Sequence, residues 1–239
     1  MKVCSIGIHP DDADFGTGGY LLVMAQAGWE TVILDLTEGE KSTNGTVEER
    51  REEAARSAEF LGLTRRMNCR LPDCGINRSS PEQLACIVRH LRRERPNLIL
   101  IPYWKDDHPD HIEGSHLIVR ARYMAGLASY IPEEKPFRIP CILFYPCRKI
   151  FKPTFVVNIT SVYEQKEKAA RSFTSQVERT DGRRPTPLNE PHFLERLRAR
   201  AQLFGAMIGA YQGEGYLVTE PLPLIARGWL IPGGRNVND

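Results

Sequence analysis

The sequence predicts an α/β fold, a Rossmann-like, doubly wound and mostly parallel sheet with helices on both faces. Strand-like and helix-period segments alternate from the first residues onward. The strongest strand signal, Asn97–Tyr103, is apolar from Leu98 to Pro102, as expected of a strand covered on both faces. Four such strands joined by helices are the pattern of a parallel sheet.

In chain order, Lys2–Ile8 reads as a buried strand, Thr17–Ala27 as a helix ended by Gly28, and Glu30–Leu36 as a second strand, the opening of a βαβ unit. Val47–Leu61 is a charged amphipathic helix with Ala54, Ala55, Ala58 and Leu61 on its apolar side, closed by Gly62. Arg66–Leu71 is a weaker strand. Pro81–Arg93 is a helix with Leu84, Ile87, Val88 and Leu91 at helical spacing, and Asn97–Tyr103 follows as the fourth strand. Beyond it come a helix from about Ile112 to Gly126, strands at Cys141–Tyr145 and Thr154–Ile159, and helices at Val162–Val177 and Pro191–Ala210. The polar, proline-bearing stretch Glu178–Pro187 is a loop.

With 239 residues, 41% of them hydrophobic, the chain is read as one domain over 1–239. Its core is expected at about 1–160, with a helical and loop region from about 161 completing the pocket. Lysine plus arginine number 32 against 30 acidic residues, a net charge of +2 that offers no electrostatic case for nucleic acid or an anionic membrane. The apolar run before His9 is too short for a signal peptide, and no stretch approaches the roughly 20 apolar residues that span a bilayer. A cytoplasmic protein is expected. The six cysteines show neither a CxxC pair nor knuckle spacing and read as reduced, mostly buried thiols.

Two blocks carry chemistry. His9-Pro10-Asp11-Asp12 follows the first strand, and Asp106-Asp107-His108-Pro109-Asp110-His111 follows the fourth. With strand order 3-2-1-4 these strands are neighbours, and ligands bind outside the carboxyl ends of strands where the order reverses. Both blocks then face one crevice. A catalytic zinc needs three protein ligands and an open position, and His9, Asp12 and His111 supply that set; iron(II) or cobalt suits the same donors. Asp11, beside ligand Asp12 on a sharp loop, is positioned as general base. His108, as an imidazolium, is expected to stabilise an oxyanion or protonate the leaving amine, and Asp110 to orient a histidine. His90 and His192 read as surface residues and His116 as packing. A nucleotide-binding module is the rival from another class, but the first strand ends in carboxylates where a phosphate-binding turn carries glycines.

These blocks resemble the PIG-L superfamily of LmbE-like zinc deacetylases, marked by a His-Pro-Asp-Asp block near the N-terminus and a His-Pro-Asp-His block about a hundred residues later. The resemblance extends through Asp35–Glu40, Thr43–Thr46, Arg50–Ala54, Leu71–Asp73, Ser175-Gln176 and Thr186–Leu188. It is nearest to the branch of bacillithiol-biosynthesis deacetylases. It implies hydrolysis of the acetamide of an N-acetylglucosaminyl substrate such as N-acetylglucosaminyl-malate, with acetate released. Zinc is then carried by His9, Asp12 and His111, the base is Asp11, and Arg50 reaches the substrate. Gly18 and Gly19 permit close approach of a sugar or anionic group. Relatives in this branch often carry arginine where Asp107 stands. A homo-oligomer, a hexamer, is implied by the resemblance alone. An amidase acting on another N-acylated amine, such as a thiol-sugar conjugate, uses the same machinery.

Overall fold

The computed structural model describes residues 1–220. A five-stranded parallel sheet has the order β3-β2-β1-β4-β5, formed by β1 (Lys2–Gly7), β2 (Glu30–Thr37), β3 (Arg65–Leu71), β4 (Leu98–Pro102) and β5 (Cys141–Tyr145). β1 and β4 are neighbours, with Cys4 opposite Ile99. The first crossover runs to one side of β1 and the later one to the other, so the reversal that opens a crevice lies at their carboxyl ends.

Alternation along β1 divides the core. Cys4, Ile6 and Ile8 pack on one face with residues of α3 (Pro81–Glu94) and α4 (Pro109–Ala125). Val3 packs on the other face with residues of α1 (Asp12–Gln26) and α5 (Tyr163–Arg171). Both faces are covered, which explains the near-continuous apolar strands. α2 (Val47–Leu61) begins with a capping box between Thr46 and Glu49 and ends at Gly62, whose φ of 60° is left-handed. No helix among the described residues is long and apolar enough to cross a membrane.

The structure departs from the sequence reading in a few places. α1 starts at Asp12, not Thr17, because the His9 carbonyl accepts the N–H groups of Asp11 and Asp12 and turns the chain straight into a helix. α4 starts at Pro109, whose missing N–H costs nothing in the first turn. The segment Val162–Val177 is broken: α5 ends at Arg171, Phe173 buries its ring against Phe15, and α6 is the single turn Thr174–Val177. The last helix among the described residues, α7, is Phe193–Ala206. β7 (Gly213–Tyr216), missed for its glycines, pairs antiparallel with β6 (Phe155–Asn158). The thiols are free, but Cys74 is exposed.

Candidate metal centre

Two strand ends build the site. After β1 the chain must turn within two residues, and Gly7 permits it: a Cβ there would stand 2.9 Å from the His9 carbonyl oxygen. β2 fixes the turn from the side, since the Thr37 N–H and hydroxyl both donate to the Ile8 carbonyl at 3.0 Å. After β4, Asp106 organises the loop by accepting the N–H groups of Asp107, His108 and Arg148 at 2.8, 2.9 and 3.1 Å. His108 is the N-cap of α4, its Nδ1 accepting the Asp110 N–H at 3.2 Å. His111 then sits one turn into the helix.

His9 Nδ1, Asp12 Oδ2 and His111 Nε2 form a nearly equilateral triangle, with edges of 3.4 Å (His9–Asp12), 3.3 Å (His111–Asp12) and 3.4 Å (His9–His111). Ligands about 2.0–2.2 Å from a tetrahedral ion stand roughly 3.3–3.6 Å apart, so these donors already have the spacing of three corners of such a shell. The fit also holds chemically, since two imidazoles and a carboxylate suit zinc and its first-row neighbours.

The far nitrogen of each imidazole meets a second carboxylate. His9 Nε2 lies 3.1 Å from Asp73 Oδ1. His111 Nδ1 lies 3.3 Å from Asp106 Oδ1, off the line of a hydrogen bond, so this is a charge contact. Such carboxylate–histidine pairs fix the tautomer and the ring orientation of metal ligands. Asp110 was expected in this role; instead its carboxylate accepts the Cys74 N–H at 2.7 Å and anchors the loop after β3. Asp73 and Asp106 lie inside the blocks Leu71–Asp73 and Asp106–His111, where sequence alone gives them no role.

The electrostatics follow from this crowd of acids. Burial alone would depress His9, but hydrogen bonds with Asp12 and Asp73 outweigh it and lift it to about 9. Burial would raise Asp73 and Asp106, and their histidine partners hold both down to about 2. His108 is lowered, first by burial and then by the charges of His9 and His111. With Nδ1 accepting the Asp110 N–H, the ring presents Nε2–H as its donor.

Asp11 is the N-cap of α1 and only 4% exposed. Burial pushes its carboxyl up to about 6 against the pull of Arg50, whose Nη2 donates to Oδ2 at 3.0 Å. Arg50 is itself 3% exposed and also donates to the Ser42 hydroxyl at 2.9 Å. The structure thus places the Arg50 guanidinium against Asp11 and Ser42. Gly18 and Gly19 do not open onto the crevice as a sugar-binding turn would. They are buried in α1, where a Cβ on Gly18 would meet Leu61 and Lys166, and the Gly19 N–H donates to Glu214 at 2.8 Å. Asp107, whose side chain is 63% exposed, pairs with Lys149 at 2.5 Å. His116 and His192 are exposed.

The other blocks that carried the resemblance hold the rim together. Glu53 accepts from the Ser175 N–H and hydroxyl at 2.6 and 2.7 Å and from Thr174 at 2.9 Å. Gln176 donates to the Asn44 carbonyl at 2.7 Å, and the Asn44 side chain bridges to Arg184 at 2.8 and 2.9 Å.

The model of the PIG-L family, GlcNAc-PI de-N-acetylase, matches residues 4–122, which contain both histidine blocks. The diacetylchitobiose deacetylase of Thermococcus kodakarensis is 33% identical over 229 residues, covering 90% of this chain and 81% of its own length. The crystal structure of a conserved protein of Thermus thermophilus superposes with a TM-score of 0.86 at 34% identity, covering 95% of this chain and 98% of that one. The N,N'-diacetylchitobiose deacetylase of Pyrococcus horikoshii, solved with an inhibitor, gives 0.78 at 27% identity over 90% of this chain and 82% of that one.

Proposed function

We propose that this chain, which belongs to the PIG-L family of LmbE-like deacetylases, is a zinc-dependent hydrolase that removes acetate from the acetamide of an N-acetylglucosaminyl substrate. The observation that carries this reading is the triangle of His9, Asp12 and His111 with a buried carboxyl, Asp11, beside it. The relatives that act on diacetylchitobiose support a small amino-sugar substrate. N-acetylglucosaminyl-malate, the substrate of the bacillithiol branch, belongs to the same chemical class.

His9, Asp12 and His111 would hold the ion. When bound, it supplies Lewis acidity, which polarises a carbonyl and acidifies water. Asp11 takes the proton of the attacking water, which a carboxylate with a pKa near 6 accepts at neutral pH. His108 donates Nε2–H to the oxyanion that develops on the acetamide, a contribution worth about 2.7–4 kcal/mol for one such donor. Asp11 then returns its proton to the departing amine. Arg50 keeps the carboxylate of Asp11 ionised before the reaction and in place throughout it. Asp73 and Asp106 hold the two imidazoles in register. One domain carries the whole site; the stretch from residue 221 lies outside the described residues.

The test is acetate release from N-acetylglucosamine, diacetylchitobiose and N-acetylglucosaminyl-malate, measured on the zinc-loaded protein before and after chelation. Release that is lost on chelation and restored by zinc supports the reading, and the fastest of the three fixes the aglycone. Zinc binding without release from any of them removes the substrate assignment.

A further inference from the structure

Away from the crevice, a second group of donors meets at ligand spacing. Cys69 on β3 and Cys86 and His90 on α3 each offer a ligand atom, all within 4.8 Å of one another. Cys86 and His90 are four residues apart on a helix and project from the same face. Cys69 lies on the edge strand of the sheet, where Leu36 of β2 opposes both Cys69 and Arg70 and the chain bulges. Arg70 there takes a left-handed φ of 53°. The Cys86 thiol donates to the Cys69 carbonyl at 3.7 Å, which seats the helix against the bulge. All three side chains are half-buried, so they are held by their surroundings yet reachable from solvent.

We propose that Cys69, Cys86 and His90 form a second metal site, taking one thiophilic divalent cation of the zinc class, with its fourth position left to water. Thiolate and imidazole donors select this class over magnesium or calcium. Around a tetrahedral ion, with bonds of about 2.3 Å to sulfur and 2.0–2.1 Å to nitrogen, the donors would stand roughly 3.5–3.8 Å apart. From a spread of at most 4.8 Å the donors close to that by about 1.3 Å or less. Charge balances as well: two thiolates neutralise a dication. Each thiol gives up its proton to solvent as its Sγ–metal bond forms, so binding strengthens as the pH rises.

An ion here ties the exposed edge of the sheet to α3. Cys69 lies four residues before Asp73, so the clasp would sit at the base of the loop that carries the partner of His9. The cluster shares no residue with the His9 site and does not depend on the proposed reaction.

The test is titration of the reduced full-length protein with Co2+ alone, followed through the thiolate-to-cobalt charge-transfer band. His9, Asp12 and His111 contain no thiolate, so the band reports the second site once Cys147→Ser and Cys74→Ser are shown to retain it. The wild type should develop it; Cys69→Ser and Cys86→Ser should each lose at least tenfold in Co2+ affinity at this site; His9→Ala should keep it. Cys147→Ser should keep it too, which separates the cluster from the thiol beside His111. In a His9→Ala background, Zn2+ should raise the melting temperature, and the added Cys86→Ser change should abolish the rise. A band that survives both cysteine changes, no band in the wild type, or a Cys69–Cys86 disulfide that persists under reductant would each overturn the site.

Discussion

Arg50 and Asp11 form a buried pair: the guanidinium donates from Nη2 to Asp11 Oδ2 at 3.0 Å, with both side chains at 5% exposure or less. The pair joins α2 to the turn after β1, so a helix that contributes no proposed metal ligand positions the proposed base. Removing Arg50 leaves a buried carboxylate without its counter-charge, and its pKa must rise further above about 6. As the proposed base, Asp11 acts only when deprotonated, so the acid limb of the pH–rate profile in Arg50→Ala should move to higher pH. Arg50→Lys should recover part of the shift. A profile that does not move separates Arg50 from the base.

Asp73→Ala and Asp106→Ala should each weaken metal binding by about 10- to 100-fold, the usual effect of losing a carboxylate behind a ligating histidine. Competition against a chelator of known affinity reads this directly. Asp110→Ala, whose carboxylate serves the Cys74 N–H, should have the smaller effect.

Glu214 accepts the N–H groups of Gly19 and Tyr20 at 2.8 and 2.7 Å, the Tyr216 hydroxyl at 2.7 Å and the Lys166 ammonium at 2.5 Å. Glu214→Ala strands that buried ammonium and opens the middle of α1. Destabilisation of about 3–5 kcal/mol is expected by denaturant unfolding. The metal affinity of the molecules that remain folded should be unchanged.

Glu113, on α4 two residues beyond His111, accepts the Arg78 guanidinium at 2.6–2.9 Å and its backbone N–H at 3.0 Å. These bonds hold the carboxyl down to about 2, below its ordinary value of 4.5. A folded pKa below the unfolded one stabilises at pH above the unfolded value, and that stability is lost as the pH falls through the folded value. Wild type should therefore be more stable than Glu113→Gln at neutral pH, and the gap in melting temperature should close between about pH 5 and pH 2. The pair is partly solvated, so the gap is small.

The sheet was legible because strands covered on both faces are apolar throughout, and the crevice because both His/Asp blocks end strands that the predicted order makes neighbours. What sequence could not supply was direction. The Arg50 side chain runs beneath Asp11 because Gly39, at a φ of 68°, has no Cβ to block it; a Cβ there would collide with the guanidinium. Gly18 and Gly19 have the composition of a ligand-binding turn and the placement of packing residues. His108 is lowered first by burial and then by His9 and His111, and neither its burial nor the nearness of His9, 99 positions away, is written in its own block. Asp106 and Asp73 gain their roles only where the β4–α4 loop and the loop after β3 converge on the two imidazoles.

The central claim is that His9, Asp12 and His111 hold the ion while Asp11 moves the proton. It is tested most directly by acetate release from diacetylchitobiose by wild type and Asp11→Asn, with zinc at the His9 site measured in both. The account predicts that Asp11→Asn retains the zinc and loses turnover by about 10²–10⁴-fold, the usual worth of a general base. An Asp11→Asn protein that turns over at the wild-type rate, or a chelated wild type that remains fully active, would contradict it.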